Sequence, residues 1–218
     1  SSIGALSFFR EENAPEGSTE RCLDCPYKES CPYSAWRIYV DGWKRAGCPE
    51  FIWPYNKVSL KKPTTEADLY EGIRTTYFGK CVFRCGVETN PTVVDHQLVQ
   101  MQFANGVTAV LKMVFAQEPG RRINLFGTYG ELLLDERSDV LEIRPYGGEK
   151  KVIALGTLVE GGNGHGGGDA RIVAHLYSLL SGEGENRTSL RESIESHLMG
   201  IAAEESRHGG GKLVKVHG

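Results

Sequence analysis

The spacing of apolar residues changes along this chain, and the change divides it into strand-forming and helix-forming stretches. Between Lys80 and Leu155 apolar and polar residues tend to alternate. Leu98, Gln100 and Gln102 face one way, and Val99, Met101 and Phe103 the other, which is the period of two of a half-buried strand. The pattern predicts strands over Lys80–Cys85, Val93–Phe103, Val107–Phe115, Arg122–Phe126, Glu131–Leu134, Val140–Arg144 and Lys151–Leu155. Asn105-Gly106, Gly127–Gly130 and Gly147-Gly148 supply turns, the first being a strong hairpin signal. After Gly168 the period becomes 3.6. Ile172, Val173, Leu176, Leu179 and Leu180 form one stripe, with Asp169 or Gly168 as its cap. Leu190, Ile194, Leu198, Ile201 and Ala202 form a second stripe, opened by a Ser189–Glu192 capping box and closed by Gly209–Gly211. A last strand is expected over Lys212–Val216.

The first 63 residues have another texture. They hold four of six Cys, all three Trp and six of nine Pro. A strand is expected over Ile3–Arg10, and a short helix from Pro32 or Tyr33 to Asp41. Between and after them runs an irregular segment, spanning residues 11–63. Thr65, with Asp68 at the third helical position, predicts a capped helix to Thr76. Consecutive hairpins imply a large, mostly antiparallel sheet, and the helices would cover one face of it. The expected class is α+β in a single domain over residues 1–218.

With 218 residues, 40% of them hydrophobic and 24% charged, the chain has material for a substantial core. A net charge of −3 leaves no footprint for nucleic acid or an anionic membrane. No apolar run reaches the ~20 residues of a membrane span, and no signal peptide is visible, so the cytoplasm is the expected location. The chain starts Ser-Ser-Ile-Gly, without Met, and enters a strand at once. That start is expected of a piece of a longer protein.

The run Gly161–Asp169 contains Gly162-x-Gly164-x-x-Gly167, the letters of a dinucleotide fingerprint. The fingerprint has meaning only within a strand–helix–strand unit with an acidic residue ~20 positions on. Here a helix is followed by a second helix, so the run is not a cofactor loop. Its glycines permit close approach of a ligand to the backbone. His165 lies near a helix N-terminus, which favours the neutral imidazole as a proton relay or hydroxyl ligand. Asp169 can cap the helix or bind a hydroxyl. Asp95-His96 lies on a predicted strand whose neighbours face opposite ways, which makes His96 a second candidate for substrate contact. His197 falls on the apolar side of the last helix and reads as a core residue.

Cys22-x-x-Cys25-x5-Cys31 is compact enough for three thiolates to meet at one structural zinc ion, with Cys48 as a possible fourth ligand. Reduced structural cysteines are the alternative. Cys81 and Cys85, on a predicted strand, would lie about 13 Å apart and cannot bridge.

Several strings, taken in order, carry a family resemblance. They are Glu12–Gly17, Arg21-Cys22-Leu23-Asp24-Cys25-Pro26, Cys31-Pro32-Tyr33-Ser34-Ala35, Val94-Asp95-His96-Gln97, Gly127-Thr128-x-Gly130-Glu131, Gly164–Asp169 and Glu195–Met199. Over nearly its whole length the chain resembles the C-terminal domain of Gfo/Idh/MocA oxidoreductases (glucose–fructose oxidoreductase, inositol dehydrogenase, MocA). The resemblance implies a dihydrodipicolinate-reductase-like domain that shapes a sugar or polyol pocket and makes a homo-oligomer contact. NAD or NADP would be held by a preceding Rossmann domain carrying the glycine-rich loop and a Glu-Lys-Pro motif. Many relatives place an Asp-x-x-x-His pair on the first helix of this domain for proton transfer. Pro32–Tyr39 has none, which leaves Tyr39, Tyr33 or His165 as stand-ins. On this reading His165 and Tyr39 serve catalysis, while Asp169 and His96 bind substrate. Two other readings stay open: a non-catalytic oligomerisation module with a structural zinc site, and the domain of a glycosidase that uses NAD transiently.

Overall fold

The computed structural model describes residues 1–50, 52–84, 93–115, 120–158, 167–186 and 188–217. It is α+β, and every strand pair among the described residues is antiparallel. The strands fall into two sheets. One has the order β1 (Ser2–Ala5), β2 (His96–Gln102), β3 (Thr108–Val114), and the other is the meander β4 (Arg122–Phe126), β5 (Gly130–Asp135), β6 (Val140–Pro145), β7 (Lys151–Ala154). The chain divides into two compact units, one of residues 1–115 with 201–218, and one of residues 116–200.

In the first unit the hairpin forms around Asn105-Gly106 as its letters require, with Gly106 at φ 85°. Ala5 pairs with His96, and His96 with Val114, so the first strand lies along the hairpin. β1 is shorter than the alternating run suggests. It ends at Ala5 because the amides of Ser7, Phe8 and Phe9 turn to the Asp95 carboxylate instead of continuing the ladder. Likewise Lys80–Arg84 is not a strand. Lys80 makes one bridge with Arg21, and residues 82–84 turn. Cys85 lies outside the described residues. The last strand expected over Lys212–Val216 is also not formed. There the Ser206 hydroxyl donates to the Lys212 carbonyl at 2.5 Å and accepts from the Ser2 amide at 2.7 Å.

The core of this unit comes from the irregular segment. A π-helical stretch, Arg37–Asp41, runs into α1 (Gly42–Arg45). It packs against α2 (Glu66–Thr75), and Val40, Trp43, Tyr55, Val58, Leu69 and Ile73 are buried together. α2 begins as its letters predict. Thr65 Oγ1 accepts the Asp68 amide, and the Asp68 carboxylate accepts the Thr65 amide. Close approach of backbones forces glycine at two positions. A Cβ on Gly72 would lie 1.8 Å from the Val58 carbonyl oxygen, and one on Gly79 would lie 1.6 Å from that of Ile73.

In the second unit α3 (Gly168–Leu180) follows Gly167, which caps it at φ 82° without any side-chain bond. Asp169 therefore occupies the first turn but is not the cap. Ile172, Val173, Leu176 and Leu180 are exposed. α4 (Leu190–His208) opens with the predicted Ser189–Glu192 box. No helix among the described residues is long and apolar enough to cross a membrane.

The two kinds of constraint on α2 separate by magnitude. Thr65→Ala should cost about 1 kcal/mol in urea denaturation. Gly72→Ala should cost more, about 3 kcal/mol, because a backbone must move. Equal losses for the two variants would show that the approach of α2 to Val58 is not the tighter constraint.

Candidate functional site

Two clusters of chemistry-bearing side chains form in the first unit. The first is built on Asp95, which precedes β2 and is buried. Its Oδ2 accepts the amides of Ser7 at 2.9 Å, Phe8 at 2.6 Å and Phe9 at 3.2 Å. Its Oδ1 lies 2.8 Å from His96 Nδ1. Burial by itself would raise the Asp95 pKa, but the hydrogen bonds from His96 and the three amides outweigh it and hold the carboxyl down at about 2. The charged carboxylate fixes the imidazole. With Nδ1–H donating to Asp95, Nε2 of the neutral ring is left as an acceptor. The His96 side chain is 49% exposed while that of Asp95 is 7% exposed, so the pair is a buried anion orienting a half-exposed base.

The second cluster is made of thiols. Cys22 opens a 3-10 turn that ends at Asp24, and Cys25 closes it by donating its amide to the Cys22 carbonyl. The Cys31 amide donates to the Tyr27 carbonyl at 2.8 Å, which folds the segment back. Cys81 arrives from 50 residues further along the chain. The Arg21–Lys80 bridge and the Cys81 amide, which donates to the Glu20 carbonyl at 2.8 Å, set it beside Cys22. Cys22, Cys25, Cys31 and Cys81 line one pocket. The structure thus joins the three expected cysteines and adds Cys81. Cys48 is exposed, at φ 56°, and is not on that wall. Burial pushes the Cys22 thiol up, the Ala35 amide partly offsets this, and the neighbouring cysteines add to the rise. Burial also raises Cys81, against the amides of Phe83 and Arg84.

The other candidates fall elsewhere. Tyr39 is a core residue on the π-helical stretch, 9% exposed, and burial raises its phenol. Asp169 is exposed in the second unit. His165 lies outside the described residues. His197 is exposed, not a core residue, and its Nδ1 lies 2.7 Å from the Ser193 carbonyl of its own helix. For a dinucleotide the described residues offer no fit. α3 leads into α4, and no parallel strand follows the glycine run among them.

Sequence reasoning missed Cys81 as a partner of the Cys22 segment, having put it on a strand with Cys85. No signal in the sequence could have found it, because the contact depends on Arg21 reaching the Ile73 and Thr76 carbonyls more than fifty residues away. Comparisons with protein-family models, with curated proteins and with solved structures give no match for this chain.

Asp95 makes stability depend on pH. Its folded pKa lies below the ordinary value of 3.8. Its stabilisation is therefore complete above about pH 4 and disappears as pH falls towards 2. Asp95→Asn should lower stability by about 2 kcal/mol at neutral pH, since three amides lose a charged acceptor. It should also flatten the acid limb of a denaturation-versus-pH series. An unchanged acid limb in the variant would remove Asp95 as the source.

Proposed function

We propose that this chain is the substrate-binding and oligomerisation domain of an NAD(P)-dependent oxidoreductase acting on a sugar or polyol. Two supports carry the reading: the ordered motifs, which resemble Gfo/Idh/MocA C-terminal domains, and the Asp95–His96 pair. The pair is the stronger in chemistry. A neutral imidazole whose Nδ1 is held by a buried carboxylate presents Nε2 as an acceptor for a substrate hydroxyl proton. The partner elements of the reading are a preceding Rossmann domain that holds the dinucleotide and further copies of this chain in a homo-oligomer, working in the cytoplasm. The sequence-based assignments of His165 and Tyr39 to catalysis and of Asp169 to hydroxyl binding belong to the same reading.

In this reading His96 accepts the hydroxyl proton and Asp95 stabilises the imidazolium that results. The chemistry of hydride acceptance belongs to the dinucleotide on the other domain. His96→Ala in the polypeptide comprising both domains should lower kcat/KM for a sugar or polyol by about 100-fold or more. Asp95→Asn should displace the acidic limb of the pH–rate profile, where the accepting base becomes protonated. A chain whose upstream coding sequence specifies no glycine-rich strand–turn–helix, or a His96→Ala enzyme with wild-type kcat/KM at every pH, would refute the assignment.

A further inference from the structure

Four thiols from two distant segments meet at one pocket, lined by Cys22, Cys25, Cys31 and Cys81. Cys22 and Cys81 are buried, and Cys25 and Cys31 are half-buried. The Cys22 thiol reaches the carbonyl of Lys80, the residue before Cys81, at 3.7 Å. Lys28 lines the same pocket. Aromatic and apolar walls from Pro15, Tyr27, Tyr33, Val82 and Phe83 screen the space from water. The spacing Cys-x2-Cys-x5-Cys together with a distant fourth cysteine is one that surrounds a tetrahedral ion.

We propose that Cys22, Cys25, Cys31 and Cys81 together bind one zinc ion in a closed, structural tetrathiolate site of the first unit. Four sulfurs leave no coordination position for water or substrate, so the ion's role is to tie the Cys22–Cys31 segment to the turn after Lys80. Thiolate ligands in a tetrahedral set select zinc over the harder divalent cations. On binding, each thiol gives up its proton to solvent and no group is oxidised or reduced. The site then carries two negative charges, and Lys28 lies on its wall. Among the described residues no three His, Cys, Asp or Glu side chains already form a set that could hold a metal ion. Binding therefore draws the sulfurs inward to about 2.3 Å from the metal by reorientation of their side chains. This assignment stands apart from the oxidoreductase reading, since it uses neither His96 nor a cofactor.

The test begins with the unaltered chain, purified under reducing conditions and reconstituted with zinc. Elemental analysis should give one zinc per chain. Cobalt in its place should show the thiolate charge-transfer and d–d bands of a tetrahedral site. Iodoacetamide with peptide mapping should then leave Cys22, Cys25, Cys31 and Cys81 unmodified while exposed Cys48 reacts, and a chelator should open all four to modification. Cys81→Ser should retain less than a tenth of the zinc at the concentration that saturates the parent, and Cys48→Ser should retain all of it. The proposal fails if the reconstituted chain holds no stoichiometric zinc, or if Cys81 is alkylated as fast as Cys48 with zinc present. It fails equally if Cys48→Ser loses the ion, or if the isolated protein instead carries an iron–sulfur cluster with acid-labile sulfide. None of the protection results depends on a variant that has to fold.

Discussion

The Arg21 guanidinium donates to the carbonyl of Ile73 at 2.9 Å and to that of Thr76 at 3.2 and 3.3 Å. The Ile73 carbonyl is among those that the last turn of α2 leaves without a helical partner, and a cation there also meets the negative end of the helix dipole. One side chain thus closes α2 and clamps the segment bearing Cys22 to the segment bearing Cys81. Gly79 makes the clamp possible, because any Cβ there would collide with the same Ile73 carbonyl. The Arg21–Lys80 bridge, the placement of Cys81 and the pocket all follow from this closure.

Asp95 does the corresponding work at the sheet. A single carboxylate ends β1, turns the chain through Ser7–Phe9 and orients His96. The turn delivers Phe9 into an edge-to-face cluster, with ring centroids 5.0 Å from Tyr33 and 4.8 Å from Phe115. Phe9 and Phe83 are buried with Cys81 in one small core. The anion and the thiol pocket are therefore parts of one packed region. A change at Asp95 that releases Phe9 acts on the wall that holds Cys81, which gives the half-exposed base and the cysteine pocket a common support.

Legibility in the sequence followed the range of the forces involved. Thr65 with Asp68, Ser189 with Glu192, and Asn105-Gly106 all formed as read, because capping and tight turns are settled within four residues. The meander from Arg122 to Ala154 was legible for the same reason, its strands being joined by short turns. Ile3–Arg10, Lys80–Cys85 and Lys212–Val216 read as strands and are not full strands among the described residues. In two cases a group distant in sequence takes the backbone, Asp95 for residues 7–9 and Arg21 with Glu20 for 80 and 81, while Lys212 is taken by Ser206 at the end of the preceding helix. Alternation of side chains reports which way they face, not whether a neighbouring strand is there to pair with them.

The sequence by itself determined the α+β class, the antiparallel hairpins, the caps of α2 and α4, and three cysteines close enough in the chain to meet. These rest on local periodicity and local hydrogen bonds. Only the tertiary structure decided that Cys81 rather than Cys48 completes the thiol cluster, that Tyr39 belongs to the core, and that His96 is held by a buried carboxylate. Each of those depends on contacts between residues far apart in sequence, where ridges of buried side chains and single charged groups choose the partner. No pattern along one stretch of chain encodes that choice.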